Sequence, residues 1–263
     1  MNLLDTFRLD GRIALVTGAS HGIGEALALA FAEAGADVAL AARGVADLER
    51  VAARARALGR RAAVVPTDVS DLTQVERLVE RTAEAVGEPD VLANVAGVNR
   101  RKRILDVTLE DWNFVFDVNL RGLFFASQVF ARSLVRRDAG WGKVIHIASM
   151  TSYRGFADLS LYSMTKTAVV SLTRTQAVEW AQYGIRVNAI APGWIETPLT
   201  AQMNPARRRW VEDHLPQGHY GTVADLAGMA VYLASPASDY ATGQTFPVDG
   251  GFLAGNPWPA LEA

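Results

Sequence analysis

The chain has 263 residues, half of them hydrophobic, and a formal net charge of −2. That length and apolar content fit one α/β domain with a sizeable core, and the near-neutral balance excludes a general attraction to nucleic acid or acidic membrane surfaces. With no cysteine, disulfides, cysteine-ligated zinc and thiol catalysis are excluded as well.

Met1 to Asp10 lacks the basic start and apolar run of a secretory leader. No stretch of about 20 apolar residues is seen either, so neither a signal peptide nor a membrane span is expected, and a cytoplasmic location is. The first strand is predicted at Ile13–Thr17 and runs directly into Gly18-Ala19-Ser20-His21-Gly22-Ile23-Gly24, with an alanine- and leucine-rich helix over Gly22–Ala34. Strand, glycine turn and helix together make the context of a dinucleotide site. The glycines allow a tight turn and a close approach of backbone to a pyrophosphate, and unpaired N–H groups at the helix start face the phosphates. The spacing is Gly-x-x-x-Gly-x-Gly rather than the commoner Gly-x-Gly-x-x-Gly.

Further strands are predicted at Val38–Ala42, Ala62–Pro66, Val91–Asn94, Val144–Ala148, Arg186–Ile190 and Thr245–Val248. The helices between them are predicted at Val45–Leu58, Leu72–Val86, Leu109–Val135, Ser160–Gln182 and Val223–Leu233. Helices between consecutive apolar strands imply a parallel sheet covered on both faces, and right-handed crossovers make it doubly wound. Pro247 inside the last strand assigns that strand an edge position. Residues 198–221 carry Pro205, Arg207-Arg208-Arg209, Pro216 and Gly218 and read as a small helical lid over a substrate site. The tail Asn256–Leu261 is too proline-rich for a helix, and Trp258 is expected to anchor it over a neighbouring subunit's pocket.

Three side chains read as an acid/base device. Tyr162 and Lys166 stand four residues apart, on one helix face, and Ser149 lies upstream. An ammonium beside a phenol favours the phenolate and lowers a tyrosine pKa from its usual roughly 10, so that the phenol trades a proton with a substrate oxygen near neutral pH. The serine hydroxyl would hold that oxygen. Taken alone, Tyr-x-x-x-Lys is also the pattern of a solvated surface pair. At the end of the second strand, Ala42 stands where a carboxylate would grip adenine ribose hydroxyls, and Arg43 follows. A guanidinium there pairs with a 2′-phosphate, which favours NADP(H) over NAD(H); stacking on adenine or exposure to solvent is the competing reading. The loop Val98-Asn99-Arg100-Arg101-Lys102-Arg103 follows the fourth strand at the ligand-binding edge of such a sheet. Arg100 and Arg101 are candidates for a substrate carboxylate, against a solvated basic loop or a subunit contact.

Taken together, Thr17-Gly18-x-x-x-Gly22-x-Gly24, Asn94-Val95-Ala96-Gly97, Asn119, Ser149, Tyr162-x-x-x-Lys166, Pro192-Gly193 with Thr197, and Asp249-Gly250-Gly251 resemble the short-chain dehydrogenase/reductase family, from about Leu9 to Gly251. The resemblance implies a single Rossmann-type domain, doubly wound around a seven-stranded parallel sheet. It also implies an enzyme that interconverts a secondary alcohol and a ketone with a nicotinamide cofactor. By the same resemblance Asn119, Ser149, Tyr162 and Lys166 are catalytic. Asn119 would anchor a water relay to Lys166, and Lys166 would bind nicotinamide ribose hydroxyls. Cofactor contacts are implied for Gly18, Ser20, His21, Gly22, Ile23, Gly24, Arg43, Asp68, Val69, Asn94, Ala96, Gly97, Tyr162, Lys166, Pro192, Gly193, Ile195 and Thr197. Within that set Asp68-Val69 would meet adenine, with a plain aspartate turn as the alternative. The Ile195 backbone and the Thr197 hydroxyl would meet the carboxamide, and Asn94 is expected to be structural beneath the cofactor. No metal is implied.

The arginine pair, Ser149-Met150 and Glu179-Trp180-Ala181 are similar to the sugar-acid branch of the family, which includes gluconate 5-dehydrogenase and 2-deoxy-gluconate 3-dehydrogenase. Lys102-Arg103 departs from that branch, where a proline is frequent. A sugar acid or polyol is the expected substrate, touching Ser149, Tyr162, Arg100 and Arg101. A reductase of 3-oxoacyl thioesters or another bulky ketone is the alternative, and a non-catalytic NADP-binding protein the remote one. Related enzymes pair through two long helices and the last strand, so a homotetramer or dimer is implied.

Overall fold

The computed structural model describes residues 2–198, 200–201 and 203–255; the tail with Trp258 lies outside the described residues. In chain order the elements are β1 (Ile13–Thr17), α1 (Gly22–Glu33), β2 (Asp37–Ala41), α2 (Val45–Ala57), β3 (Ala62–Val64), α3 (Leu72–Glu76), α4 (Leu78–Val86), β4 (Val91–Asn94), α5 (Leu109–Phe116), α6 (Leu123–Arg136), β5 (Gly142–Ile147), α7 (Ser160–Trp180), β6 (Ile185–Pro192), α8 (Pro205–His214), α9 (Ala224–Ala234) and β7 (Thr245–Val248).

The seven strands form one parallel sheet in the order β3-β2-β1-β4-β5-β6-β7. Every residue of β1, β4 and β5 is buried, which is why these segments read as largely apolar rather than alternating, with Thr17, Asn94, Lys143 and His146 as buried polar exceptions. One face is covered by α1, α2 and α9 through Leu27, Phe31, Leu48, Val51, Leu226 and Leu233. The other is covered by α4, α6 and α7 through Leu78, Phe130, Leu134 and Ala177. The chain winds outward from β1 to β3, then returns to place β4 against β1. The crevice at that reversal, outside the carboxyl ends of the strands, is where such sheets bind ligands. β7 with Pro247 lies at the sheet edge, as the missing N–H requires.

Two predicted helices are interrupted. Leu72–Val86 breaks at Arg77 into α3 and α4, and Asp71 caps α3 by accepting from the Thr73 and Gln74 N–H groups. Leu109–Val135 runs to Arg136 and contains a π-helical turn, Asp117–Gly122, between α5 and α6. By length and mean hydropathy alone the 28-residue stretch Leu109–Arg136 passes for a membrane span, which the sequence reading did not expect. Its apolar side instead packs on the sheet through Ala126, Phe130, Ala131 and Leu134.

Candidate active site

The glycine loop is shaped by close approaches. Gly18 has φ +69°, and a Cβ there would lie 2.7 Å from the Ala96 backbone, so glycine lets the turn after β1 rest on the loop after β4. The Thr17 hydroxyl joins the same two loops by accepting from the Val95 N–H at 3.1 Å. A Cβ on Gly24 would strike the Gly18 carbonyl at 2.1 Å, so the start of α1 folds tightly onto the turn. His21 precedes α1 without capping it; its Nδ1 is paired with the Ser20 hydroxyl at 2.8 Å. The first N–H groups of α1 therefore stay available to an anion. From α2, Arg50 donates to the Ser20 carbonyl at 2.9 Å and grips Glu25 of α1 at 2.6 and 2.9 Å, bracing the loop from below. Across the cleft, Thr197 faces the position a Gly22 Cβ would take, 3.8 Å away. The Ile195 carbonyl accepts from the Thr200 hydroxyl at 2.7 Å, and Gly193 lies flush against Asp249, where a Cβ would come within 2.5 Å of its Cα. Arg43 is exposed just past β2 and makes no ion pair among the described residues. Asp68 forms the turn that was its alternative reading, accepting from the Ser70 N–H at 2.9 Å and its hydroxyl at 2.7 Å.

Ser149 follows β5, while Tyr162 and Lys166 lie in the first two turns of α7. Lys166 is buried; its Nζ donates to the Ile147 carbonyl at 2.7 Å and sits 5.5 Å from the Tyr162 ring centre. Burial pushes the amine down to about 8. The Tyr162 phenol is also pushed, but upward, because burial outweighs the opposing influence of the Ser149 hydroxyl. This corrects the expectation that Lys166 lowers the tyrosine pKa. Desolvation decides the sign, and the ammonium is directed at a carbonyl rather than at the phenol.

Asn119 occupies the π turn and is fully buried. Its amide clasps the Val98 backbone from both sides, accepting from N–H at 2.8 Å and donating to C=O at 2.9 Å, and it also donates to the Thr165 hydroxyl at 3.2 Å. A Cβ on Gly97 would lie 3.5 Å from the Asn119 oxygen and 3.7 Å from Lys166 Nζ, so the three residues surround one small space. Asn94 bonds the Ser127 hydroxyl at 2.9 Å and His146 Nδ1 at 3.2 Å, and His146 Nε2 meets the Gln176 oxygen at 2.8 Å. The Asn94 bonds tie β4 to α6 and β5. The sequence reading passed over His146, whose only signal was a titratable residue inside an apolar strand. Burial pushes its pKa down to about 4 and keeps it neutral. Nε2–H then donates to Gln176, and Nδ1 accepts from Asn94.

A cavity of about 200 Å³ opens at the carboxyl edge of the sheet, walled by Phe156, Trp194, Met203 and Trp210 with Arg101 at its rim. The structure separates the two predicted arginines. Arg101 lines the cavity, whereas the Arg100 guanidinium lies 4.5 Å over the Phe114 ring and 3.7 Å from Asp111. Lys102 reaches the same carboxylate at 2.6 Å. That bond and donors from Thr108 hold the Asp111 carboxyl well below the usual carboxylate range.

The donor chemistry fits a dinucleotide. Open N–H groups begin α1, and Lys166 has one acceptor among the described residues, which leaves two ammonium protons for sugar hydroxyls. A family profile described as enoyl-(acyl carrier protein) reductase matches residues 18–253. The chain is 40% identical over 254 residues to the 2-dehydro-3-deoxy-D-gluconate 5-dehydrogenase of Dickeya dadantii (strain 3937), covering 96% of this chain and 99% of that enzyme. It is 34% identical over 246 residues to the 3-oxoacyl-[acyl-carrier-protein] reductase FabG of Thermotoga maritima, covering 94% and 99%. Among solved structures, a gluconate 5-dehydrogenase from Burkholderia cenocepacia J2315 in complex with NADP and tartrate matches with a TM-score of 0.92 and 39% identity over 96% of this chain and 99% of that one.

Proposed function

Because the chain belongs to the short-chain dehydrogenase/reductase family, we propose that it oxidises a secondary hydroxyl of a sugar acid, and reduces the matching ketone, with NADP(H). The nicotinamide supplies hydride transfer when bound; the residues of this chain supply position and a proton. In reduction Tyr162 donates its proton to the ketone oxygen, and oxidation runs the same transfer in reverse, from hydroxyl to phenolate. Ser149 donates a hydrogen bond to the same oxygen and keeps it within reach of the phenol. Lys166 binds ribose hydroxyls, and Asn119 fixes the Val98 backbone that borders the cleft. The cofactor is held by the start of α1, by Gly18 to Gly24, and by the turn at Ile195 and Thr197.

The observation that carries the substrate assignment is Arg101, which with Arg207 supplies the charge in an otherwise apolar cavity wall. Named sugar-acid dehydrogenases among the relatives support it, as does the tartrate, a hydroxy acid, in the Burkholderia complex. Preference for NADP(H) over NAD(H) rests on Arg43 beside Ala42, with no carboxylate at that strand end to repel a 2′-phosphate. Residues 198–221, with α8 at their centre, act as the substrate lid. A homotetramer or dimer would pair through the outer faces of α6 and α7, where Phe124, Val135, Leu172 and Trp180 line a groove of about 730 Å³.

The test offers gluconate, other aldonates, 5-keto sugar acids, polyols and acetoacetyl thioesters, with both cofactors, and follows nicotinamide absorbance. Reduction of a 5-keto sugar acid with NADPH is the expected result. Turnover of thioesters alone would transfer the protein to the rival class that the Thermotoga relative represents.

A further inference from the structure

The cavity beneath the lid has two cationic side chains and no anionic one in its wall: Arg101 from the loop after β4 and Arg207 from the first turn of α8. Arg207 pairs with Asp158 at 3.0 Å. Asp158 holds a left-handed φ of +66° between Ala157 and Leu159, both of which line the cavity. The Asp158 carbonyl accepts from the Lys102 N–H at 3.0 Å, which joins the Arg101 loop to the same residue. Three neighbouring cations are engaged elsewhere: Arg100 and Lys102 face Asp111, and Arg208 is paired with Glu196 and Glu212. Asp158 is therefore the carboxylate at the cavity mouth: it holds Arg207, while Arg101 makes no ion pair among the described residues. The Arg207–Asp158 pair is partly exposed, 58% at Arg207 and 26% at Asp158, so it is weak and readily exchanged.

Resting on the sugar-acid reading, we propose that Arg207 is a specificity-determining residue. With Arg101 it clamps the substrate's terminal carboxylate, which takes the place of Asp158 and draws α8 over an acid but not over a neutral polyol. Guanidinium forks match a planar carboxylate from two sides, whereas a polyol offers no charge to exchange for the existing pair. Asp158 is the positioning residue that keeps Arg207 at the mouth beforehand.

The test compares wild type, Arg207→Gln and Arg207→Lys with gluconate and sorbitol. KM and kcat are measured, and quenching of tryptophan fluorescence on adding gluconate provides a readout independent of turnover, since Trp194 and Trp210 line the cavity. For Arg207→Gln the KM for gluconate rises roughly ten- to a hundredfold, as expected for a lost charge-assisted bond. The KM for sorbitol stays within about twofold, because no charge is lost from that complex. Arg207→Lys recovers part of the loss, and circular dichroism shows unchanged helix. A wild type that prefers gluconate while Arg207→Gln keeps the same preference would overturn the clamp alone. A wild type with no preference for the acid would overturn the sugar-acid reading and the clamp with it.

Discussion

At the scale of single residues, burial governs the chemistry. Tyr162 is raised by desolvation, so in the absence of other charges it is a held proton rather than a ready base. A Tyr162→Phe variant keeps the same volume and loses only the hydroxyl; it should fold normally, and turnover should fall by roughly 10²–10⁴-fold. Steady-state rates near those of the wild type would remove the phenol from its role. Lys166 leaves a second signature. Its folded pKa is about 8 against 10.5 for a free side chain, so between those values the unfolded chain binds a proton that the folded chain does not. Stability is therefore reduced below about pH 8 and recovers as pH rises from about 8 towards 10.5, by on the order of 3 kcal/mol. Lys166→Met should lack that rise while losing activity. Denaturant titrations across the window check it, and parallel curves for the two proteins would count against a desolvated amine.

At the scale of elements, the π turn Asp117–Gly122 is the deciding feature. An uninterrupted α-helix was the natural reading of Leu109–Val135, since composition and periodicity are unaffected by one extra residue in a turn. The wider turn accompanies two contacts that periodicity does not encode: the Asn119 clasp on Val98, and the contact of Gly122 with the loop after β3. A Cβ on Gly122 would lie 2.2 Å from the Val69 carbonyl. Gly122→Ala should cost about 1–3 kcal/mol through overpacking, and activity should drop further than stability because Asn119 is carried out of register. Thermal melts and kcat measured together test this; a variant with wild-type kcat would show that Asn119 tolerates the displacement.

At the scale of the molecule, two features tie distant segments together. The buried chain Asn94–His146–Gln176 links β4, β5 and α7 behind the cleft. His146 has a folded pKa of about 4 against 6.5 when free. As pH falls from 6.5 to about 4 the unfolded chain gains a proton that the folded chain refuses, so stability declines through that window by on the order of 3 kcal/mol. His146→Gln should be less stable at neutral pH yet show a shallower acid slope, read from denaturation midpoints at each pH; an equal slope would point to another group. The proposed tetramer makes its own demand. Val178 of α7 is 80% exposed and Phe124 of α6 is 40% exposed. Charges placed there, as in Phe124→Glu or Val178→Glu, should yield smaller species in analytical ultracentrifugation, and an unchanged sedimentation coefficient would clear these faces of any role in assembly.

The sequence by itself determined the parallel α/β architecture, the edge position of β7 and the glycine turn into α1. Each is written in local spacing or in runs of apolar residues, and neighbouring residues suffice to express it. Only the tertiary structure decided which way burial moves the Tyr162 phenol, that Arg100 and Lys102 turn to Asp111 while Arg101 faces the cavity, and that His146 is a neutral link between strands. Those outcomes depend on desolvation and on distances between segments far apart in the chain, and both quantities come into being only when the sheet and its helices close around them.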